Sequence, residues 1–158
     1  LALQKEAMPG YATLAAELGM TASEVHAAVE RAVAAQLARK ENGKPVVILA
    51  ALRPFLLQGA RYAFPATQGS LSRGVPTGYA APPLKDMILS GNDPVPVWPS
   101  KDGTVRGIAL YPLYPSVPQA AMRNPELYEL LALFDGVRSG SARERTLASE
   151  LLEKKLVA

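Results

Sequence analysis

The chain contains no cysteine and a single histidine. A disulfide framework and a thiolate metal site are therefore excluded, and one histidine gives no basis for expecting a histidine-built metal centre. No run of 18 apolar residues occurs, so no segment is expected to span a membrane. The opening Leu1-Ala2-Leu3-Gln4-Lys5-Glu6 lacks an initiator methionine and the charged-then-apolar pattern of a secretion signal, and it reads as the tail of a helix. These absences fit the cytoplasm. Catalytic groupings are also missing. Asp86 and Asp93 fall in a loop without identifiable partners, and no nucleophile is paired with a base, so neither enzyme activity nor a cofactor is expected.

Charge of one sign is scarce as well. The net charge is +3. Residues 1–64 hold seven Lys and Arg against five acids, residues 65–118 four against three, and residues 119–158 six against six. The surplus lies towards the N-terminal end. A positive balance assists approach to nucleic acid, but an excess of two is too small to argue from.

What the chain does have is 158 residues, 49% of them apolar, enough for one domain or a small domain with an extension. Residues 1–64 read as helical with one short hairpin. Tyr11, Leu14, Ala15 and Leu18 share one helical face, and Gly19 supplies a left-handed stop. Thr21 and Glu24 have capping-box spacing, which starts a second helix at Ala22 with Val25, Val29, Ala32 and Leu37 as its buried stripe. In "KENGK" the Asn42-Gly43 pair predicts a two-residue hairpin turn, with Val46-Val47-Ile48 as the returning strand. A further helix is expected to run to about Ala63, with a start or kink at Pro54.

Residues 64–118 hold ten of the fourteen prolines. Long helices are excluded there, yet Trp98 and several aromatics make the segment too apolar for a disordered linker. It reads as an irregular, ordered wrap with one hairpin, "VPVWP" to "TVRGIAL", turned at Lys101-Asp102-Gly103. Asn124-Pro125-Glu126 then starts a helix whose face is Leu127, Leu130, Leu131, Phe134 and Val137. A last helix runs from about Ala142 to Leu156, making an αα-hairpin. Leu130, Phe134 and Leu151 are candidates for a surface shared with a second copy, set against burial within one chain. Arg138, Arg143 and Arg145 gather around "RSGS", where ion pairs with Asp135, Glu144 and Glu150 are favoured over a phosphate site. "SRGVPTG" at 72–78 has no Gly-Lys-Ser/Thr ending and is not a phosphate loop.

Helix, tight turn, capped helix and basic hairpin follow the order of a winged helix-turn-helix. The second helix would present Ser23, His26, Ala27, Glu30 and Arg31 outward, with Thr21 at its start. Arg39, Lys40 and Lys44 on the hairpin would reach the DNA backbone. Glu24 and Glu30 oppose phosphate on the same face. From Leu14 to Leu37 the chain resembles the helix-turn-helix of MarR-like and related winged-helix transcriptional regulators of bacteria. "RYAFPATQGSLSRGVPTGYAAPPL" at 61–84, "VWP", "LYPSVP" and "LYELLALFDGVRSGSARER" at 127–145 resemble a group of small bacterial proteins with such a domain at the front. Gln36 departs from the pattern, standing where these helices end in glycine. The resemblance implies a sequence-specific regulator, in the first place a repressor, and assigns no role to the C-terminal part.

The expected architecture is thus mainly α (α+β). A winged helix-turn-helix spans residues 1–64, and a proline-rich wrap with a helical hairpin, for support and dimerisation, spans residues 65–158. The expected partners are double-stranded DNA and a second copy in a homodimer. The alternative is a protein-interaction module, such as an antitoxin or adaptor, that uses the same fold to hold a protein partner.

Overall fold

In a computed structural model, residues 9–89 and 91–157 are described. The helix tail expected at Leu1–Glu6 lies outside them. The fold is mixed α and β. Helix α1 spans Tyr11–Leu18 and α2 spans Ala22–Ala34. Gly19 between them takes φ 64°, as a left-handed helix stop requires. Strands β1 (Ala38–Glu41) and β2 (Lys44–Val47) pair antiparallel, with Glu41 opposite Lys44. Asn42 and Gly43 both have positive φ, 50° and 76°, the conformation of a two-residue turn that matches strand twist. Gln36 also sits at φ 58°. It adopts the left-handed geometry that glycine would adopt at no steric cost, at about 1–2 kcal/mol for a residue with a β-carbon.

The next helix is continuous from Leu49 to Ala63 but not regular. Helix α3 (Leu49–Pro54) passes into a π turn over Phe55–Gly59 and then into α4, Ala60–Ala63. Pro54 lacks the N–H that an α-helical ladder needs, and the widened turn follows it.

The proline-rich segment differs from the sequence reading. It contains three strands: β3 (Gln68–Pro76), β4 (Pro96–Pro99) and β5 (Val105–Leu110). β3 pairs antiparallel with both others, while β4 and β5 pair parallel, Pro96 with Ile108 and Val97 with Ala109, so the three strands close on one another. The antiparallel hairpin expected about Lys101-Asp102-Gly103 is thus overturned: the two strands pair parallel, and each is antiparallel to β3. Closure this tight needs glycines. A β-carbon on Gly74 would lie 2.1 Å from the Trp98 carbonyl oxygen, and one on Gly107 would lie 2.0 Å from that of Val95. Residues that look like punctuation in the sequence are close-approach points in a small sheet.

Helix α5 (Val117–Arg123) begins with Pro118 in its first turn and has no counterpart in the sequence reading. α6 (Pro125–Ser139) starts as expected, with the Asn124 side chain accepting from Leu127 N at 3.0 Å. α7 (Ala142–Val157) packs back on α6. The largest apolar cluster joins Leu84, Leu133, Val137, Ala148, Leu152 and Leu156. A second gathers Val75, Trp98, Val117 and Ala121 between the sheet and α5, and a third, Leu14, Ala15 and Val25, locks α1 against α2. Phe134, a candidate for a dimer surface, is buried in its own chain. Leu130 and Leu151 are half-buried against the main core. Leu84 of the turn at Leu84–Asp86 joins this cluster, and Leu49, Leu56 and Leu57 pack against it, apolar surface that the sequence reading did not count.

Candidate nucleic-acid interface

Helix α2 begins with a complete capping box. The Thr21 hydroxyl accepts from Glu24 N at 3.2 Å, and Thr21 N donates to the Glu24 carboxylate at 2.7 Å. Thr21 is therefore engaged in starting the helix. Val25 and Val29 are buried, which turns Ser23, His26, Ala27 and Arg31 to solvent and leaves Glu30 half-exposed. Of these, Ser23, Ala27 and Arg31 have no side-chain hydrogen bond or ion pair among the described residues.

The two flanks of this stripe are occupied. On one, His26 stacks edge-on against Tyr11 with centroids 5.3 Å apart, and its Nε2 lies 3.6 Å from Glu30 Oε1. The same oxygen pairs with Lys40 Nζ of β1 at 2.5 Å. Lys40 holds the Glu30 carboxyl below its usual range, and Glu30 raises Lys40 in return. On the other flank, the Tyr114 hydroxyl donates to Glu24, and with the Thr21 contacts it lowers the Glu24 carboxyl. Tyr114 itself is raised, first by that hydrogen bond, with Arg31 opposing.

The hairpin cations are distributed differently from the expectation. Lys40 faces Glu30, and Arg39 Nε is 2.7 Å from Glu41 Oε1. Lys44, beside the turn, is exposed and has no ion pair among the described residues. Of the sequence-predicted residues, the contacts bring together His26 and Glu30 of α2 and Lys40 of the hairpin, while Thr21 pairs with Glu24 and Arg39 with Glu41. Arg31 and Lys44 are available to a ligand at once, whereas Arg39 and Lys40 must first exchange carboxylates for it.

Residues from the far end of the chain fix this unit to the body, and sequence reasoning missed them. Ser116 Oγ donates to the Leu18 carbonyl at 2.6 Å, and the Arg123 guanidinium reaches the Ala16 carbonyl at 3.4 Å. With Tyr114, these side chains grip the α1–α2 turn from about a hundred positions away, where no local pattern marks them.

A second polar cluster lies in the body. Asp135 and Arg138 form an ion pair at 2.7 Å, each 3% exposed. The same carboxylate accepts from Trp98 Nε1 at 2.6 Å and Thr77 Oγ1 at 2.8 Å. Burial pushes the Asp135 carboxyl up, while Arg138, Thr77 and Trp98 favour its charged form. Arg138 also donates to the Phe64 and Tyr111 carbonyls. The cluster has every polar atom engaged in joining α6, the sheet and the end of α4. Of the three arginines weighed for phosphate, Arg138 alone makes an ion pair among the described residues. Arg138 is buried in this pair, Arg145 donates to the Gly140 carbonyl at 2.9 Å, and Glu144 occupies the start of α7 by accepting from Ser141 N at 2.9 Å. Arg143 remains exposed. Among the described residues no group of three His, Asp or Glu side chains is placed to hold a metal ion, and no helix is long and apolar enough to cross a membrane.

Comparison with protein-family models, curated proteins and solved structures finds no match to the chain.

Proposed function

We propose that this chain binds double-stranded DNA through the outward face of α2 and the β1–β2 hairpin. It would do so as a winged helix-turn-helix regulator of transcription akin to the MarR-like proteins, acting as a homodimeric repressor. One observation carries the reading. A capped helix, set off by a left-handed glycine and flanked by a two-residue hairpin, presents Ser23, Ala27 and Arg31 with no side-chain hydrogen bond or ion pair among the described residues. A helix placed in this way enters a major groove, and the adjoining hairpin meets the backbone beside it. Two copies would set two such helices about one DNA turn apart over an inverted repeat.

A second reading has its own observation. Glu24, Glu30 and Glu41 accompany the cations of the interface, and two of them pair with hairpin cations. A surface this balanced suits a protein partner with mixed charge, as in an antitoxin or adaptor.

Duplex binding across a salt series separates the two. Lys44 from each of two copies gives a slope of log affinity against log salt of about −1.8, at about −0.9 per phosphate contact, and Arg31 steepens it to about −3.6 where it takes a phosphate instead of a base edge. One selected sequence should outcompete random DNA by about a thousandfold or more. Binding without salt dependence, or without preference for any sequence, would move the assignment to the protein-partner reading.

A further inference from the structure

The irregular helix from Leu49 to Ala63 runs alongside α7 in the opposite direction. Near its start, Arg53 donates through Nε, at 3.1 Å, and through Nη2 to Glu153 Oε1. Just past its end, the Phe64 carbonyl accepts from Arg138, in the last turn of α6 before α7 begins. Between the two helices opens a cavity of about 450 Å³, a size within the range of small-molecule sites. Leu57, from the π turn, and Val137 of α6 are among its apolar walls, and Arg61, Arg145, Ser149 and Glu150 are among its polar ones.

Charge is unevenly placed around this cavity. At Glu153 the two helices cancel each other's charge in the pair with Arg53. Roughly two turns from that pair along either helix, Arg61 and Arg145 have no ion pair among the described residues. Both are half-buried. Arg61 lies over the ring of its exposed neighbour Tyr62, 4.8 Å from the centroid, and its N–H groups have no acceptor among the described residues. Arg145 uses Nη1 on the Gly140 carbonyl, which leaves Nε and Nη2 without an acceptor among the described residues. The Ser149 hydroxyl makes no hydrogen bond among them either. Glu150 borders the same space, exposed and without an ion pair among the described residues. Two cations against one acid leave a single positive charge to be met, beside apolar walls.

We infer that this cavity binds a small organic acid with one carboxylate and an apolar body. The carboxylate would accept from Arg61 and from the Nε–Nη2 edge of Arg145, the forked geometry that a guanidinium offers a carboxylate. The Ser149 hydroxyl would be a further donor, and the apolar body would lie on Leu57 and Val137. A phosphate dianion fits less well, because it brings two charges to a surplus of one and leaves the apolar walls uncovered. The inference stands apart from the duplex reading, since it uses no residue of α2 or the hairpin.

The test is titration of the full chain with octanoate at neutral pH, followed by amide shifts. Wild-type protein should show saturable changes gathered at Leu57, Arg61 and residues 145–150. Arg61→Gln should weaken binding about tenfold or more, with the melt unchanged because this side chain makes no hydrogen bond among the described residues. Arg145→Gln should weaken it by a similar factor, and Arg61→Lys, which keeps the charge and loses the fork, should fall between. Octanol and inorganic phosphate, each holding one part of the ligand's chemistry, should bind roughly tenfold more weakly than octanoate or worse. Arg31→Ala should leave octanoate binding unchanged, so failure here and failure of duplex binding are read separately. No saturable change in the wild type, changes centred away from the cavity, or indifference to Arg61→Gln would overturn the proposal. So would octanol binding as tightly as octanoate, which would make the cavity a plain apolar crevice, or phosphate doing so, which would make it an anion site with no organic body.

Discussion

Residues 11–47 hold their shape through groups a few positions apart, whereas the body depends on groups that meet only when the whole chain has folded. Thr21 and Glu24, three residues apart, start α2, and Asn42-Gly43 turns the hairpin within two residues. In the body, Asp135 binds Thr77 and Trp98 across separations of 58 and 37 residues. The side of the molecule proposed to meet DNA is thus started and turned by local groups and is held to the body by Tyr114, Ser116 and Arg123. It carries Ser23 and Arg31 with no side-chain hydrogen bond or ion pair among the described residues. The body is globally determined, with its most polar residues fully engaged. Substitutions should therefore separate binding from folding.

The largest effect is expected at Asp135. Asp135→Ala leaves the Arg138 guanidinium buried without its carboxylate and should cost about 3–5 kcal/mol in a denaturant melt. An apolar replacement of both partners should cost much less, because the desolvated charge is removed with its counterpart. A loss below about 1 kcal/mol in Asp135→Ala would show that solvent reaches the pair. Phe134→Glu sharpens the same contrast: the buried ring makes unfolding the expected outcome, and a well-folded monomer would return Phe134 to a shared surface.

Arg31→Ala comes next and should behave in the opposite way. Duplex affinity should fall by about 1–3 kcal/mol if Arg31 reads a base edge, with the melt little changed because the side chain is exposed. Thr21→Ala removes the cap and should cost about 1 kcal/mol, seen as faster amide exchange in the first turn of α2 and little change at α6.

The smallest effect concerns pH. Glu24 is held below its ordinary 4.5, chiefly by the Tyr114 hydroxyl. A carboxyl lowered in the folded state contributes stability above its unfolded value and loses that contribution as pH falls through its folded one. The contact between α2 and the body should therefore hold at neutral pH and weaken on acidification below the usual carboxylate range. In Tyr114→Phe, Glu24 should titrate closer to 4.5, as followed by its amide shift; an unmoved titration would show that Thr21 alone sets the carboxyl.

The same local and global division explains what could be read from the sequence. Gly19, the Thr21–Glu24 box, Asn42-Gly43 and Asn124-Pro125 each act on neighbours, and each appears in the structure where its spacing places it. The three-stranded sheet could not be read in this way. Its prolines and glycines have the composition of a loop, and only the approach of Gly74 and Gly107 to distant carbonyls makes them strand residues. Helix α5 was missed because Pro112, Pro115 and Pro118 suggest an irregular turn. At the interface, the outward residues of α2 follow from periodicity, but the pairing of Lys40 with Glu30 does not. It depends on how the hairpin folds back over the helix. The grip of Tyr114, Ser116 and Arg123 on the α1–α2 turn is equally invisible, since nothing near Leu18 announces partners a hundred residues on.

Amide shift mapping while a selected duplex is added tests the central claim most directly. The account predicts that changes concentrate in Thr21–Ala34 and Arg39–Lys44, with Ser23, Ala27, Arg31 and Lys44 moving most. Leu130–Val137, around the Asp135–Arg138 pair, should stay still. Changes centred on the body with α2 unmoved, or no changes at duplex concentrations well above those of the protein, would contradict it.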